Sequence, residues 1–364
     1  MASSSEAVEC PIPIVDFDGF REGDAAHKAK IAAAIGAAAR DIGFMAVKNH
    51  GVDPAVIETM GKETWAFFDL PAEEKEKWAS PSEAEYPYGY VGFGKETLRS
   101  GLEEEAASGK TSDLAASELA DAPAPSAAGV PDLKECMSMG PHNPASGMPA
   151  PRLPSKPEGM AAAWLAYYKA MEELAGAMLE AFALALDLPA DWFADKTDAH
   201  RCALRALNYP DLDVAPPPGA MRASPHTDYG TLTILLPDDA PGGLQVKGKD
   251  GSWLPVPYLP GHFVINLGDL MQRWTNDQWV STLHRVVPPS AADVATRDSC
   301  RRQSVAFFHN VNADVVVEAI PTTVSESKPA KYPSITAFEH LMEKHLASVG
   351  HKVADEAKAA GDGQ

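Results

Sequence analysis

The second half of the chain is divided into short β-rich segments separated by turns, and this pattern limits the possible folds more than any other feature. After Arg201 the segments follow one another closely, with turn signals such as Pro241-Gly242-Gly243 and Asp250-Gly251 between them. Many short strands with glycine and proline turns are typical of a sandwich or a barrel, and about eight of them fit a jelly roll. The predicted strands are 231–236, 244–246, 253–256, 262–266, 282–287, 302–308 and 315–317.

The first half of the chain is mainly helical in composition. Residues 11–16 predict a short edge strand, because a sheet edge tolerates their prolines, and residues 43–48 predict another strand. Helices are predicted over 25–42, 54–68, 72–78 and, as the longest, 158–186. The predicted fold class is therefore α+β with a mainly β core, a double-stranded β-helix (jelly roll) flanked by N-terminal and C-terminal helices.

Three regions are predicted from these elements. An N-terminal helical region spans 11–197, a jelly-roll catalytic domain spans 198–320, and a C-terminal helix and tail span 321–364. Residues 100–130 are rich in Ala, Ser, Glu, Asp and Pro and have almost no large apolar side chains. Such a stretch buries too little surface to offset its ordering entropy, so we predict a mobile surface insertion, either an inert one or an active-site lid.

Composition excludes several classes of partner. Lys and Arg number 31 against 51 Asp and Glu, a formal net charge of −20, which argues against nucleic acid and anionic membrane surfaces. The N-terminus has no signal-peptide pattern, no apolar run has membrane-spanning length, and the four scattered cysteines are typical of reduced thiols. The sequence therefore predicts a cytoplasmic protein acting on a small molecule; a monomer is compatible with it, although the oligomeric state is not predicted.

One His-x-Asp pair stands in the β-rich half, at His226-Thr227-Asp228. About 1.5 His-x-Asp/Glu matches are expected by chance in a chain with 11 histidines and 51 acidic residues. On a strand, residues i and i+2 point to the same side, so His226 and Asp228 would present an imidazole and a carboxylate to one point. With one distant histidine, this pair would form a 2-His-1-carboxylate triad for iron(II).

His284, in the apolar run 282–287, is the candidate for the third ligand. Taken alone, it also fits a core histidine, as do His262 and His309, and His50 fits a turn position. Arg302 and Ser304 form a second i, i+2 pair at the start of a strand, where a guanidinium and a hydroxyl would bind one carboxylate.

The chain from about Pro11 to Val349 resembles the isopenicillin N synthase-like family of iron(II)- and 2-oxoglutarate-dependent dioxygenases. The resemblance rests on an ordered series of motifs rather than on any one of them. Besides the His-x-Asp and Arg-x-Ser segments, the series includes Pro11-Ile12-Pro13-Ile14-Val15-Asp16, Gly43-Phe44, Asn49-His50-Gly51, Asp132-Leu133-Lys134-Glu135, Gly242-Gly243-Leu244-Gln245-Val246, Asn266-Leu267-Gly268-Asp269 and Thr282-Leu283-His284-Arg285-Val286.

The resemblance implies the role of each candidate residue. His226, Asp228 and His284 would bind Fe(II), while Arg302 and Ser304 would bind the distal carboxylate of the co-substrate 2-oxoglutarate, with Tyr209 assisting. Leu207 stands where plant members usually have an asparagine, so an additional asparagine contact is not expected. The implied reaction consumes O2 and 2-oxoglutarate, releases succinate and CO2, and hydroxylates, desaturates or cyclises a small molecule; ascorbate is a possible further cofactor.

Two other functions fit parts of the pattern. One is an iron-dependent oxidase of the same fold that uses no 2-oxoglutarate, as isopenicillin N synthase does, and the other is a non-catalytic ligand-binding barrel. A zinc hydrolase is disfavoured because no general base is placed beside the triad. The primary substrate is not predicted, although Tyr88, Tyr90, Phe93 and Arg99 lie in a segment that either lines the pocket or packs in the core.

Overall fold

A computed structural model describes residues 10–79, 88–96, 98, 131–145, 148–212 and 214–345. The predicted insertion at 100–130, Arg99 and the tail beyond 345 lie outside the described residues. Within the described ranges, the helices are α1 (Ala25–Asp41), α2 (Pro54–Phe68), α3 (Ala72–Glu76), α4 (Met160–Ala185), α5 (Asp269–Trp274), α6 (Ala291–Thr296) and α7 (337–345). None of these helices combines the length and apolar character needed to cross a bilayer.

The strands of the same described ranges form two sheets and one small ribbon. They are β1 (Ile14–Asp16), β2 (Phe44–Lys48), β3 (Gly89–Val91), β4 (Glu135–Met139), β5 (Ala203–Tyr209), β6 (Ala223–His226), β7 (Leu232–Leu236), β8 (Gly243–Lys247), β9 (Trp253–Pro255), β10 (Phe263–Leu267), β11 (His284–Val287), β12 (Arg302–His309), β13 (Val316–Val317) and β14 (Ile335–Thr336). The large sheet has the order β1-β2-β10-β7-β12-β5-β4-β3, the small sheet has the order β6-β11-β8-β9, and β13 pairs with β14.

The predicted jelly roll is formed by β5 to β12. Four of these strands (β5, β7, β10 and β12) lie in the large sheet, and the other four make up the whole small sheet. All pairings among the eight are antiparallel. The N-terminal region then widens the large sheet at both edges, because β1 and β2 pair next to β10, and β4 and β3 pair next to β5.

The two larger apolar cores among the described residues hold these layers together. The larger one joins α1, α2 and α4 to the outer face of the large sheet, with Trp164, Tyr167 and Phe182 of α4 fully buried. The smaller one lies between the two sheets, where Phe44 of β2 and Val264 of β10 pack against Val246 of β8. Since the inner faces of both sheets are apolar at this end, polar side chains concentrate elsewhere between the sheets.

The predicted helices are confirmed to within a few residues at their ends, and α2 has the predicted bounds. Strand β5 was not predicted, and β6 was expected only as the strand that would carry the His-x-Asp pair. Their sequences, ALRALNY and ASPH, include polar residues and a proline that break the apolar alternation expected of a strand. In β5 those polar residues have partners, since Arg205 donates to Ser138 and Asn208 donates to Glu135.

Gly43 joins α1 to β2 at a point where no other residue fits without strain. Its φ is +66°, and its N–H bonds to the Ala38 carbonyl 2.9 Å away, which ends the helix. A Cβ at Gly43 would lie 2.0 Å from the Val280 carbonyl oxygen in the segment before β11. Gly51 has a similar φ of +77° but no neighbouring atom within 4 Å of a built Cβ.

We predict that Gly43→Ala destabilises the protein much more than Gly51→Ala. Both variants carry the cost of a left-handed conformation, about 1–2 kcal/mol, but only the first forces two backbone segments apart. Thermal unfolding of the two variants measures the difference. Equal melting temperatures would contradict the close packing of Gly43 on the segment before β11.

Candidate active site

His226 and His284 lie opposite each other on paired strands of the small sheet. Strands β6 and β11 are antiparallel, and the two histidines are direct partners in their register. Because paired residues point to the same face, the imidazole rings come to lie 4.3 Å apart between their centroids. Both rings face into the jelly roll, where the ring of Phe44 contacts His284 edge-on.

Backbone carbonyls orient both imidazoles. Nδ1 of His226 lies 2.7 Å from the Ser224 carbonyl, and Nδ1 of His284 lies 3.0 Å from the Thr282 carbonyl. Each Nδ1–H therefore donates to a carbonyl, and each Nε2 keeps its lone pair for a ligand. Burial, and then the neighbouring His284, lower the pKa of His226 to about 3, which favours the neutral form that binds metal ions.

Asp228 completes the group, although it does not lie on the strand as predicted. Strand β6 ends at His226, and Asp228 lies in the loop that follows, with its carbonyl accepting from Asp269 N at 2.7 Å. The expected i, i+2 geometry is therefore wrong in detail, since the chain has already left the sheet. The loop still brings Oδ1 of Asp228 to 3.8 Å from His284 Nε2 and 4.0 Å from His226 Nε2.

The two oxygens of the Asp228 carboxylate have different surroundings. Oδ2 accepts hydrogen bonds of 2.6 Å from Thr233 Oγ1 and 2.6 Å from Asn266 Nδ2, both on the large sheet. Oδ1 faces the two imidazoles. One potential ligand atom from each of the three residues lies within 4.8 Å of the others, a group able to hold a metal ion.

Arg302, Ser304 and Tyr209 form a second group on the inner face of the large sheet. Strand β12 begins at Arg302, as predicted, and Arg302 pairs with Tyr209 of β5. The guanidinium lies 5.2 Å from the centre of the tyrosine ring, and the Ser304 hydroxyl lies 3.5 Å from the Tyr209 hydroxyl. The structure thus brings these three predicted residues together.

The Arg302 guanidinium is buried without a full set of partners. Only 2% of Arg302 is exposed, and its Nε and Nη1 atoms have no hydrogen-bond partner among the described residues. The guanidinium carbon of Arg222 lies 5.5 Å from the centre of the same tyrosine ring, but the Arg222 donors bond to the carbonyls of Pro241 and Cys300. Burial, and then the Arg302 cation, lower the pKa of Arg222 to about 10.

An unpredicted ionic network supports the start of β6. Asp132 accepts from both the backbone N–H (3.0 Å) and the hydroxyl (2.7 Å) of Ser224, whose carbonyl orients His226. Lys134 lies 3.1 Å from Asp132 and 2.9 Å from Glu96. The sequence predicts no role for the motif Asp132-Leu133-Lys134-Glu135, because Ser224, the hydrogen-bond partner of Asp132, lies 92 positions away.

The remaining candidates lie outside this group. Nδ1 of His309 bonds to the Thr231 hydroxyl, half-buried His262 bonds to the Pro260 carbonyl, and His50 packs on the ring of Phe263. Tyr90 is buried with its hydroxyl on Glu135, so it belongs to a buried cluster with Lys75 and does not contact the triad. The ring of Tyr88 packs against Gly140, and Phe93 is 48% exposed.

Comparison with known proteins agrees with this geometry. Residues 12–158 match the family model for the N-terminal region of a non-haem dioxygenase in morphine synthesis, and residues 201–311 match that of the 2OG-Fe(II) oxygenase superfamily. A 2-oxoglutarate-dependent dioxygenase from Dothideomycetidae sp. is 31% identical over 94% of this chain and 98% of its own length. The chain belongs to the Fe(II)- and 2-oxoglutarate-dependent oxygenases.

A further relative and a solved structure show the same similarity. Validamycin A dioxygenase from Streptomyces hygroscopicus is 29% identical over 92% of this chain and 86% of its own length. The crystal structure of a full-length Neurospora crassa protein in complex with α-ketoglutarate has a TM-score of 0.76 and 30% identity, and covers 92% of this chain and 96% of its own. A second structure of that Neurospora protein contains thymine as well.

The donor groups of the site fit the two cofactors of this family. Two neutral imidazoles and one carboxylate are the ligand set of non-haem Fe(II) oxygenases. The unpartnered donors of buried Arg302 require an anion, and the planar guanidinium suits a carboxylate. As an Fe(II)- and 2-oxoglutarate-dependent oxygenase, the protein is an oxidoreductase, and its jelly-roll fold confirms the predicted fold class.

Proposed function

We propose that Fe(II) is bound by Nε2 of His226, Oδ1 of Asp228 and Nε2 of His284. This assignment is supported by the 4.8 Å limit on the separation of the ligand atoms and by the Nδ1 hydrogen bonds that direct both Nε2 atoms toward Asp228. Three protein ligands on one side of the ion leave positions for 2-oxoglutarate and O2.

Arg302 binds the distal carboxylate of 2-oxoglutarate, and the hydroxyls of Ser304 and Tyr209 complete the contact. The observation that carries this proposal is the buried Arg302 guanidinium, two of whose nitrogens have no hydrogen-bond partner in the part of the chain that the structure describes. Leaving such a cation without an anion costs several kcal/mol, on the order of 3–5. A dicarboxylate anchored here and reaching toward the triad satisfies it.

Bound Fe(II) with 2-oxoglutarate supplies the activation of O2 that is coupled to release of succinate and CO2. The side chains of this chain fix the geometry of that chemistry. Thr233 and Asn266 hold one oxygen of Asp228, the Ser224 and Thr282 carbonyls fix the imidazoles, and Phe44 covers one side of His284. Because the site lies between two sheets, the side chains of Asp228 and His284 are only 6% and 8% exposed, which limits their contact with bulk water.

The primary substrate is a small molecule. The Neurospora protein whose structure contains thymine supports this class, and so does the enclosed position of the site between the sheets. The product is a hydroxylated, desaturated or cyclised form of that substrate. The four cysteines are free thiols, which supports a reducing, cytoplasmic location.

We predict that the protein, supplied with Fe(II), 2-oxoglutarate and O2, forms one succinate for each O2 consumed, and that its true substrate accelerates succinate release. A library of small metabolites, scored by succinate formation and mass spectrometry, measures both. Oxygen consumption without succinate would favour the oxidase that uses no 2-oxoglutarate. Binding of a library compound without O2 consumption or succinate formation would favour a non-catalytic barrel.

His284→Ala is expected to weaken Fe(II) binding at least about a hundredfold, because one of the three ligands is lost from the ion. Anaerobic equilibrium dialysis with Fe(II) measures the dissociation constant. His262→Ala is the matched control, since His262 is half-buried and its Nδ1 bonds to the Pro260 carbonyl, outside the triad. Unchanged binding in the first variant would overturn the ligand assignment.

Arg302→Met is expected to raise the Kd for 2-oxoglutarate while leaving Fe(II) binding nearly unchanged. Loss of charged hydrogen bonds of about 2–3 kcal/mol corresponds to an increase of at least about thirtyfold. The visible charge-transfer absorption of the anaerobic Fe(II) complex reports the 2-oxoglutarate titration. Arg301→Met is the control, because the guanidinium of this neighbouring arginine lies over the ring of Trp65 instead. Equal Kd values in both variants would contradict the proposal.

A further inference from the structure

The segment Asn266-Leu267-Gly268-Asp269 lies against the loop that carries Asp228. Asn266 donates to the Asp228 carboxylate, and Asp269 N donates to the Asp228 carbonyl 2.7 Å away. A Cβ at Gly268 would lie 2.3 Å from the Gly230 carbonyl oxygen, so the two backbones touch without a side chain between them. This segment therefore contacts the proposed metal ligand through both its side chain and its backbone.

The side chain of Asp269 extends this contact to a more distant element. Its Oδ2 accepts a hydrogen bond of 3.0 Å from the hydroxyl of Thr227, the residue between the two ligands His226 and Asp228. The same oxygen lies 2.8 Å from Nζ of Lys344 in α7. The side chains are 14% and 20% exposed, so the ion pair is largely shielded from water.

Helix α7 touches the ligand loop at a second point. His340 precedes Lys344 by one helical turn and so lies on the same face. Its Nε2 is 3.2 Å from the carbonyl of Tyr229, the residue that follows Asp228. Burial lowers the pKa of His340 to about 4, so the ring is neutral and its Nε2–H donates to that carbonyl. The helix thus reaches both sides of Asp228, through Thr227 and through Tyr229.

We propose that Asp269 and Lys344 are positioning residues for Asp228, and that α7 is a structural part of the metal centre. The inference rests on the proposed assignment of Asp228 as an iron ligand. The loop that follows His226 carries Asp228. Contacts at Thr227 and at Tyr229 restrict its conformation on both sides of Asp228. Because binding couplings are reciprocal, metal binding also stabilises the docked position of α7.

Lys344→Met is expected to raise the Fe(II) dissociation constant about tenfold, the lower end of the range for residues that support metal ligands. Lys344→Arg keeps the charge and is expected to stay within about twofold of the wild type. Asp269→Asn keeps an acceptor for Thr227 but loses the charge partner of Lys344. The double variant Asp269→Asn/Lys344→Met is therefore expected to bind Fe(II) no more weakly than whichever single variant binds it more weakly.

Lys28→Met is the matched control for a purely structural effect. Lys28 lies 2.8 Å from Glu180, the same distance as in the Lys344–Asp269 pair, and those side chains are 22% and 31% exposed. That pair joins α1 to α4, away from the triad. We expect Lys28→Met to lower thermal stability without changing Fe(II) affinity. Equal Fe(II) affinities in Lys344→Met and the wild type, or equal losses in Lys344→Met and Lys28→Met, would overturn the proposal.

Hydrogen exchange gives a readout independent of activity. Anaerobic Fe(II) is expected to slow amide exchange in 337–345 in the wild type, and to do so several-fold less in Lys344→Met. No change in exchange of this helix on Fe(II) binding to the wild type would also overturn the inference. His284→Ala distinguishes a failure of the ligand assignment from a failure of the role of α7. If His284→Ala binds Fe(II) normally, the ligand assignment is wrong. If His284→Ala loses Fe(II) while Lys344→Met binds it normally, only the role of α7 is wrong.

Discussion

The register between β6 and β11 is the interaction on which the site depends. It places His226 directly opposite His284, so backbone hydrogen bonds set the separation of the two imidazoles. Strand β6 lies at the edge of the small sheet and has only four residues, which makes it weakly held by pairing alone. Side-chain contacts add to its support, since buried Asp132 binds Ser224 through two hydrogen bonds. The ionic network around Lys134 thereby belongs to the architecture of the site.

The net charge of the protein and the local charge around Tyr209 have opposite signs. The net charge is −20, yet buried Arg302 and Arg222 share the ring of Tyr209 between the sheets. Screening limits the outer field to about 8 Å in physiological salt, so the net negative charge does not prevent an anion from binding beside these cations. The carboxylate that Arg302 is proposed to hold is the one that 2-oxoglutarate retains when it becomes succinate. The same contact would therefore hold both the co-substrate and the product.

Local sequence patterns predicted those parts of the structure that depend on local physics. The helices followed from composition and end signals, and the pair Arg302 and Ser304 followed from strand periodicity. The same periodicity misplaced Asp228, because nothing local shows that β6 ends at His226. The contacts of the side chains that support Asp228 could not be predicted from the sequence for a different reason. Asn266 and Asp228 are 38 positions apart, and Asp269 and Lys344 are 75 apart, so the folded register decides which polar residue meets which.

The unequal environments of the two Asp228 oxygens would limit how many positions of a bound Fe(II) this carboxylate takes. Thr233 and Asn266 both bond to Oδ2, which leaves Oδ1 alone to face the imidazoles. A carboxylate that used both oxygens would occupy two positions of an octahedral ion, and with two histidines only two positions would remain. Bidentate 2-oxoglutarate would fill them and leave none for O2. By engaging one oxygen elsewhere, Thr233 and Asn266 would leave that position open. Residues that never touch the metal would thereby decide whether O2 can bind beside 2-oxoglutarate.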